Sequence, residues 1–396
     1  MRGAASGAEV EGMIDIRSGL PTSQAQGREA HARRGRLTIA DVRMHLRRID
    51  PRPVVPAKPE LSMTRSPSGD GRRAVVATET GGIRTIGSGY GSAHAKFILL
   101  GEHAVVHARP AIGMPLPHLR VRAEARIAPG PLRLETEIHS GPLSAAPPRL
   151  DALGTAIRTA LAHFGHPEDD ITVGVRSGIP IGRGLGSSAA AAHAIIEAIR
   201  SLLEVELDDD ERFEIVQAAE RIAHGNPSGL DARATREPGP ILFESGAVTR
   251  LDVRFGGAFV IADTGIRGST KDAVDDVGAF VRVEPVRSAV LLDRLEALTR
   301  DAAVDLASDR RGELGERMTE AQRILTELGA GHEAIDRLVD AARRGGALGA
   351  KLTGGGQGGC IVALVRSADD AQPVVRALEE AGAVGSWVVT HGGQTA

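Results

Sequence analysis

The stretch PIGRGLGSSAA at residues 180–190 carries the clearest structural signal in the chain. Its glycines at 182, 184 and 186 leave the backbone free to approach a ligand closely, and the Ala-rich run behind them predicts a helix over residues 188–203. A glycine turn that opens into a helix directs unpaired N–H groups and the positive end of the helix dipole at one point. The stretch therefore predicts an anion site, although such a turn also occurs for packing reasons alone.

The overall composition excludes several classes of protein. The 396 residues are 42% hydrophobic and 2% aromatic, so we expect two cores built from aliphatic side chains. A net charge of −3 gives no electrostatic reason to expect nucleic acid or an acidic membrane as a partner. The single cysteine, Cys360, cannot form an intrachain disulfide, and neither a secretory signal nor a long apolar run is evident. We expect a cytoplasmic protein.

Residues 1–83 differ in composition from the rest of the chain. They contain 14 Lys and Arg residues against 9 Asp and Glu residues, repeated prolines, and little hydrophobic periodicity. Such a segment cannot bury enough apolar surface to fold alone, so we expect a disordered leader or a mis-assigned start. A basic arm that docks on a partner is the alternative.

Beyond this leader, the pattern predicts two α+β domains, at residues 84–254 and 255–396. In the first, helices are predicted at 150–164 and 209–223, the latter with Asp208 or Asp209 as N-cap. The expected apolar face of the latter helix is Phe213, Val216, Ala219 and Ile222 or Ala223. Helices and strands occur in separate runs, which favours α+β layers over a doubly wound sheet.

The second domain is predicted to open with a strand at 258–263 and to continue through three helices. The middle helix has an apolar stripe typical of a core face, consisting of Leu314, Met318, Ala321, Leu325 and Leu328. A glycine-rich turn, a strand at 360–365, a helix at 369–381 and a strand at 384–390 complete the prediction.

Side chains suited to phosphoryl transfer fall in four segments. In chain order they are Lys96 with residues 101–103, the glycine loop, Glu220 with residues 224–231, and residues 351–360. Such a reaction needs a phosphate cradle, a Mg²⁺ site and a group that orients the nucleophile. Ser188 and Glu220 are candidate Mg²⁺ ligands because the ion prefers hard oxygen donors, with phosphates and water completing its shell. Asp231, held by a Pro-Ser-Gly turn, is the candidate carboxylate for the hydroxyl proton, and Lys96 is its candidate partner.

Each of these side chains also has an ordinary structural interpretation. Glu220 could be a solvated charge on a helix, Asp231 a turn residue, and His103 a hydrogen-bonded scaffold residue. The fourth segment, residues 351–360, is glycine at every position from 354 to 359 except Gln357, which excludes a helix or an ordinary strand interior there. Close approach to a ligand is the expected reason for so much glycine.

Five segments together resemble one family. They read GSAHAKFILLGEHAVVHARPAIGMPL (91–116), IPIGRGLGSSAAAAHAIIEAI (179–199), HGNPSGLD (224–231), ADTGIRGSTKDAV (262–274) and GALGAKLTGGGQGGCIVAL (346–364). In this order they resemble the GHMP-type small-molecule kinases, and HGNPSGLD is typical of the mevalonate kinases within that group. The resemblance spans all of the chain except its leader.

The resemblance implies a ribosomal-protein-like N-terminal domain, a ferredoxin-like C-terminal domain and an active site between them, with ATP, Mg²⁺ and mevalonate as ligands. It makes Asp231 the catalytic carboxylate, Lys96 its partner, and Ser188 and Glu220 the Mg²⁺ ligands. It places Glu102, His103 and Thr270 on the substrate side. The phosphate-binding residues that it implies are Gly182, Arg183, Gly184, Leu185, Gly186, Ser187, Ser188, Gly354, Gly355 and Gly356.

Several alternatives remain open at this stage. For Arg183, two positions are expected as alternatives: in contact with the nucleotide, or facing solvent. The reaction could instead be that of a phosphomevalonate or sugar kinase, although sugar kinases usually follow Gly-Glu-His with a sequence other than Ala104-Val105-Val106. A catalytically silent sensor of ATP and a metabolite is the alternative outside the enzymes. A homodimer is expected because dimers are common among the kinases that the chain resembles.

Overall fold

Two sheets built from different parts of the chain dominate the computed structural model, which describes residues 75–77, 83–85 and 87–390. The predicted leader lies outside these residues, except for the strand β1 (Val75–Ala77) and the first residue of β2 (Ile83–Thr85), which pair antiparallel. None of the helices described is both long enough and apolar enough to cross a membrane.

The first sheet has seven strands and comes from the first part of the chain. Its strands are β3 (Ser88–Leu100), β4 (Ala111–Pro131), β5 (Arg133–Thr136), β6 (His139–Pro142), β7 (Asp169–Ser177), β8 (Ile241–Glu244) and β9 (Ala247–Arg250). The order is β6-β5-β7-β4-β8-β9, with β3 antiparallel to β4. The helices of this part are α1 (Asp151–His163), α2 (Ser187–Leu203), α3 (Asp209–His224) and α4 (Leu230–Ala234).

The second sheet has four antiparallel strands. They are β10 (Ala258–Asp263), β11 (Gly349–Thr353), β12 (Cys360–Val365) and β13 (Gly385–Thr390), in the order β11-β12-β10-β13. The helices are α5 (Thr270–Val283), α6 (Pro285–Ala307), α7 (Arg311–Glu327), α8 (Glu333–Arg344) and α9 (Ala371–Glu380). One helical layer between β10 and β11, and α9 between β12 and β13, give the ferredoxin-like βαββαβ order. The predicted α+β class is confirmed, while the domain boundary near residue 254 stays a prediction.

Helix α2 packs directly on β3, and this contact places the glycine loop beside the strand that carries Lys96. A Cβ added to Gly89 or Gly91 of β3 would lie 2.1 Å from the Ala198 carbonyl oxygen or 2.0 Å from that of Ala194. Only glycine therefore permits this approach, and the alanines of α2 complete the close fit.

Several local predictions are confirmed and others are wrong. Asp208 caps α3, accepting hydrogen bonds from the backbone N–H groups of residues 210 and 211, and Glu211 completes the capping box. The predicted apolar face of α3 is wrong at Ile222, which is 55% exposed, because the buried side runs through Ile215 instead. Four helices replace the predicted three before the glycine-rich turn, since the helical layer breaks between Val283 and Pro285.

Candidate active site

A cavity of about 330 Å³ brings together residues from the two halves of the chain. The first half contributes side chains of β3 and α3 and the turn before α4, and the second half contributes α5 and the glycine loop after β11. Its predicted site residues are Lys96, Glu102, His103, Gly184, Glu220, Asp231, Thr270, Gly354 and Gly355. Apolar side chains, including Ile98, Val105 and Val274, line it as well.

Lys96 and Asp231 form an ion pair at this cavity. Lys96 Nζ lies 2.9 Å from Asp231 Oδ1 and donates a second hydrogen bond to the Gly184 carbonyl at 3.1 Å. The lysine side chain is 2% exposed and that of Asp231 is 30% exposed, so the carboxylate is the member of the pair that meets solvent and ligands. Buried lysines need such a partner because an isolated ammonium is strongly destabilised by desolvation.

Local backbone features position both members of the pair. The β3–β4 register shifts between His94 and Ala95, and this bulge immediately precedes Lys96. Asp231 lies in the first turn of α4, after Gly229, whose φ of 92° places it in the left-handed region. A Cβ at Gly229 would also meet the Phe213 ring at 3.1 Å. The turn that was predicted to hold Asp231 thus depends on glycine for conformation and for space.

Glu220 lies on the cavity side of α3 and is almost fully buried. Burial, together with the nearby Asp231 carboxylate, raises the pKa of Glu220 to about 7, and Ser188 and Lys96 oppose this shift. His224 Nε2 lies 3.1 Å from Ser188 Oγ and 3.8 Å from Glu220 Oε2. Burial lowers the pKa of His224, so its ring is neutral at pH 7. Glu220 Oε1 has no hydrogen-bond partner among the described residues.

The glycine loop ends where α2 begins, and α2 has no side-chain cap. Gly186, with a φ of 71°, is the N-cap residue and leaves the first N–H groups of the helix available. The neighbouring glycines have a packing role that the sequence did not predict, and their phosphate-binding role stays a prediction. A Cβ on Gly184 would lie 3.0 Å from the Thr353 carbonyl oxygen, and one on Gly354 would lie 2.9 Å from the Gly184 Cα. The two glycine loops therefore touch backbone to backbone.

Some predicted phosphate-binding residues are engaged within the protein. Arg183 Nε lies 2.7 Å from Asp263 Oδ1 and its Nη2 donates to the Gly265 carbonyl at 3.0 Å, so both interpretations offered for it miss this ion pair. Leu185 is buried, and its carbonyl accepts a hydrogen bond from the Lys96 N–H at 3.1 Å. Gly182, Leu185, Gly186, Ser187, Ser188 and Gly356 do not line the large cavity. A small recess of about 10 Å³ is lined by Arg183, Gly184, Thr270, Gly355 and Gly356, among others.

The residues Glu102 and His103 connect the two halves of the chain. Glu102 forms a fully buried ion pair with Lys351 of β11, a residue that the sequence analysis missed. His103 Nε2 donates to the Gly355 carbonyl at 2.9 Å, and burial lowers the pKa of His103 to about 4, so the ring is neutral at pH 7. Its Nδ1 is then an acceptor without a hydrogen-bond partner in the described part of the chain.

We expect Glu102→Gln to lower the free energy of unfolding by about 3–5 kcal/mol, because it leaves the Lys351 ammonium buried without a counter-charge. Urea unfolding measures this loss. Asp252→Asn is the matched control, since Asp252 pairs with Arg254 at the surface with both side chains at least 80% exposed; we expect it to change stability by less than about 1 kcal/mol. Equal stability of the two variants would contradict a structural role for the Glu102–Lys351 pair.

Comparisons with known proteins agree with this geometry. Residues 152–235 match the family of GHMP kinases N terminal domains, and residues 302–384 match the GHMP kinases C terminal family. The mevalonate kinase of Aeropyrum pernix is 32% identical over 290 residues, covering 70% of this chain and 89% of that protein. The mevalonate kinase of Thermococcus gammatolerans is 34% identical over 302 residues, with coverage of 69% and 88%.

A solved structure of the L. major mevalonate kinase in complex with R-mevalonate superimposes with a TM-score of 0.67. It is 27% identical in sequence, and the match covers 77% of this chain and 97% of that one. The matches cover 88% to 97% of the length of these three relatives, so both halves of the kinase fold are present here. The chain belongs to the mevalonate kinase family of the GHMP kinases.

Proposed function

We propose that the chain transfers the γ-phosphoryl group of ATP to the C5 hydroxyl of mevalonate, giving 5-phosphomevalonate and ADP. The observation that carries this proposal is the Lys96–Asp231 ion pair at the wall of a cavity that both glycine loops help to line, through Gly184, Gly354 and Gly355. The pair supplies what a hydroxyl nucleophile requires, namely an acceptor for its proton and a cation beside the transferring group.

In this mechanism Asp231 orients the C5 hydroxyl and accepts its proton. The hydroxyl oxygen forms a bond to the γ-phosphorus while the bond from that phosphorus to the β,γ-bridging oxygen breaks, and ADP leaves. Lys96 pairs with Asp231 and stabilises the charge on the transferring group. Because such transition states are loose, the proton moves late, and orientation by Asp231 contributes as much as proton removal.

The triphosphate is expected along residues 182–188, where the uncapped start of α2 directs N–H groups and the helix dipole at an anion. The donor set at Ser188 and Glu220 fits Mg²⁺, since both offer hard oxygens and the buried Oε1 of Glu220 lacks a partner among the described residues. The described residues contain no cluster of three or more His, Cys, Asp or Glu side chains that could hold a metal, so phosphates and water would complete the shell. When bound, Mg²⁺ would neutralise phosphate charge.

We expect Glu220→Gln to raise the Mg²⁺ concentration needed for half-maximal activity by at least about tenfold, because a metal ligand is lost. A titration of activity against Mg²⁺ at saturating ATP measures the shift. Glu214→Gln is the matched control, because Glu214 is an exposed carboxylate on the same helix. An unchanged Mg²⁺ titration in Glu220→Gln would remove this residue from the metal site.

The substrate assignment is tested by ATP consumption against mevalonate, 5-phosphomevalonate, galactose and homoserine. Turnover on mevalonate alone supports the proposal. Turnover on 5-phosphomevalonate or galactose would favour a phosphomevalonate or sugar kinase, which the mevalonate kinase relatives do not favour. Turnover on homoserine would keep the kinase fold and overturn the substrate assignment. No turnover on any of the four would favour a non-catalytic sensor. The cytoplasmic location, the homodimer and the absence of nucleic-acid or membrane partners stay predictions.

A further inference from the structure

The cavity is lined by more acidic than basic side chains, and one of its two lysines has no partner among the described residues. Glu102 pairs with Lys351, and Asp231 pairs with Lys96. Glu220 and Asp275 also line the cavity and add further acidic character. Lys271 is the one lysine or arginine lining the cavity for which the described residues provide neither an ion pair nor a hydrogen bond to its Nζ. An anionic ligand entering this acidic site needs such an uncompensated cation.

The position of Lys271 on α5 is electrostatically unfavourable unless an anion is present. It lies in the first turn, after the N-cap Ser269, where the helix dipole disfavours a positive charge. Its side chain is exposed, so no burial of an apolar stem explains the position. Only four of the 48 Lys and Arg residues are lysines, so general composition does not account for a lysine here either.

The other lysines near the cavity have little capacity for a second anion. Lys96 already contacts Asp231 and the Gly184 carbonyl, and it is needed at the reacting end of the substrate. Lys351 is fully buried and contacts Glu102 and the Leu352 carbonyl. Lys351 cannot bind a carboxylate without breaking a buried pair. Lys96 has one Nζ hydrogen left, and the proposed mechanism uses it for the transferring group.

We propose that Lys271 binds the carboxylate of the substrate and thereby makes the site specific for an anionic hydroxy acid over an uncharged alcohol. This inference rests on the proposed function, because it assigns the end of the substrate opposite the phosphorylated hydroxyl. Between the two ends, the apolar side chains of Ile98, Val105 and Val274 suit an aliphatic carbon chain. The buried Nδ1 of His103, an acceptor without a partner among the described residues, suits a second substrate hydroxyl.

The test compares Lys271→Met, Lys271→Arg and wild type on two substrates. They are mevalonate and 3-methylpentane-1,3,5-triol, in which the carboxylate is replaced by an uncharged alcohol. We expect Lys271→Met to raise KM for mevalonate by about 10- to 100-fold, as for loss of a charged hydrogen bond. Its kcat and its KM for ATP should be unchanged, its kinetics on the triol should match wild type, and Lys271→Arg should recover most of the affinity for mevalonate.

Arg282→Met is the matched control, because it removes one exposed positive charge from the far end of the same helix. An unchanged KM for mevalonate in Lys271→Met would overturn the assignment, as would a fall in kcat or a rise in KM for ATP, which would indicate contact with phosphate. An equal KM shift on the triol would also overturn it, since the effect would not depend on the carboxylate. Wild type without activity on mevalonate would instead overturn the proposed function, and this inference with it.

Discussion

Asp231→Asn lowers kcat by about 10²- to 10⁴-fold, the range typical of losing a general base. The amide cannot accept the hydroxyl proton, and it also leaves the Lys96 ammonium without the counter-charge that lies 2.9 Å away. Steady-state kinetics at saturating ATP, Mg²⁺ and mevalonate measure the loss. The effect should appear in kcat, because the interaction is used in the transition state more than in substrate binding.

Asp210→Asn is a suitable control for the Asp231 variant. Asp210 is an exposed carboxylate on α3 that pairs with Arg233 at the surface, so we expect wild-type kinetics from its variant. A melting curve must show that Asp231→Asn is folded. If a folded Asp231→Asn loses less than about tenfold in kcat, the assignment of Asp231 as the base is wrong.

Lys96→Met lowers kcat by about 10²- to 10³-fold, comparable to removing one donor that stabilises charge in a transition state. Two partners lose their contact at once, the Asp231 carboxylate and the Gly184 carbonyl of the glycine loop. The same kinetic assay measures the change, and the KM for ATP reports whether the glycine loop has also shifted.

Lys96→Arg separates charge from shape at this position. A Cβ at Gly186 would lie only 3.0 Å from the Lys96 side chain, so the larger guanidinium has little space and should recover only part of the activity. Full activity in Lys96→Met would contradict a role for this lysine in the reaction. Full activity in Lys96→Arg would contradict the tight packing described here.

Local sequence signals predicted the elements whose ends are marked by strong local chemistry. Helix α2 begins at the residue after Gly186, as the glycine turn indicates, and α3 begins after the Asp208 cap. The strand at 258–263 is confirmed because an apolar run with clear limits is buried on both faces. In contrast, the sequence does not indicate the full length of β4, residues 111–131, because Pro115, Pro117 and Pro131 interrupt the strand pattern.

The contacts that local patterns could not predict join residues distant in sequence. Lys351 pairs with Glu102 across 249 positions, and Arg183 pairs with Asp263 across 80. The hydrophobic periodicity of helices and strands gives no information about such long-range ion pairs. A compositional signal was nevertheless present: lysine is rare in this chain, and Lys96, Lys271 and Lys351 all lie at the cavity or pair with one of its residues.

The glycine-rich loops have a packing role that the sequence did not predict. The sequence predicted close approach to a ligand at residues 354–359. In the structure, a Cβ at Gly356 would lie 2.1 Å from the Ala330 carbonyl oxygen, and one at Gly355 would lie 3.1 Å from the Thr270 Cα. Contact between protein backbones therefore requires these glycines, whatever ligand the loop also binds.

The most direct test of the central claim is ³¹P NMR of the reaction of wild-type chain with ATP, Mg²⁺ and mevalonate. We predict a phosphomonoester signal coupled to the C5 methylene protons of mevalonate, formed in equal amount with ADP, and formed about 10²- to 10⁴-fold more slowly with Asp231→Asn. Release of ADP with inorganic phosphate alone, or no consumption of ATP, would contradict the account.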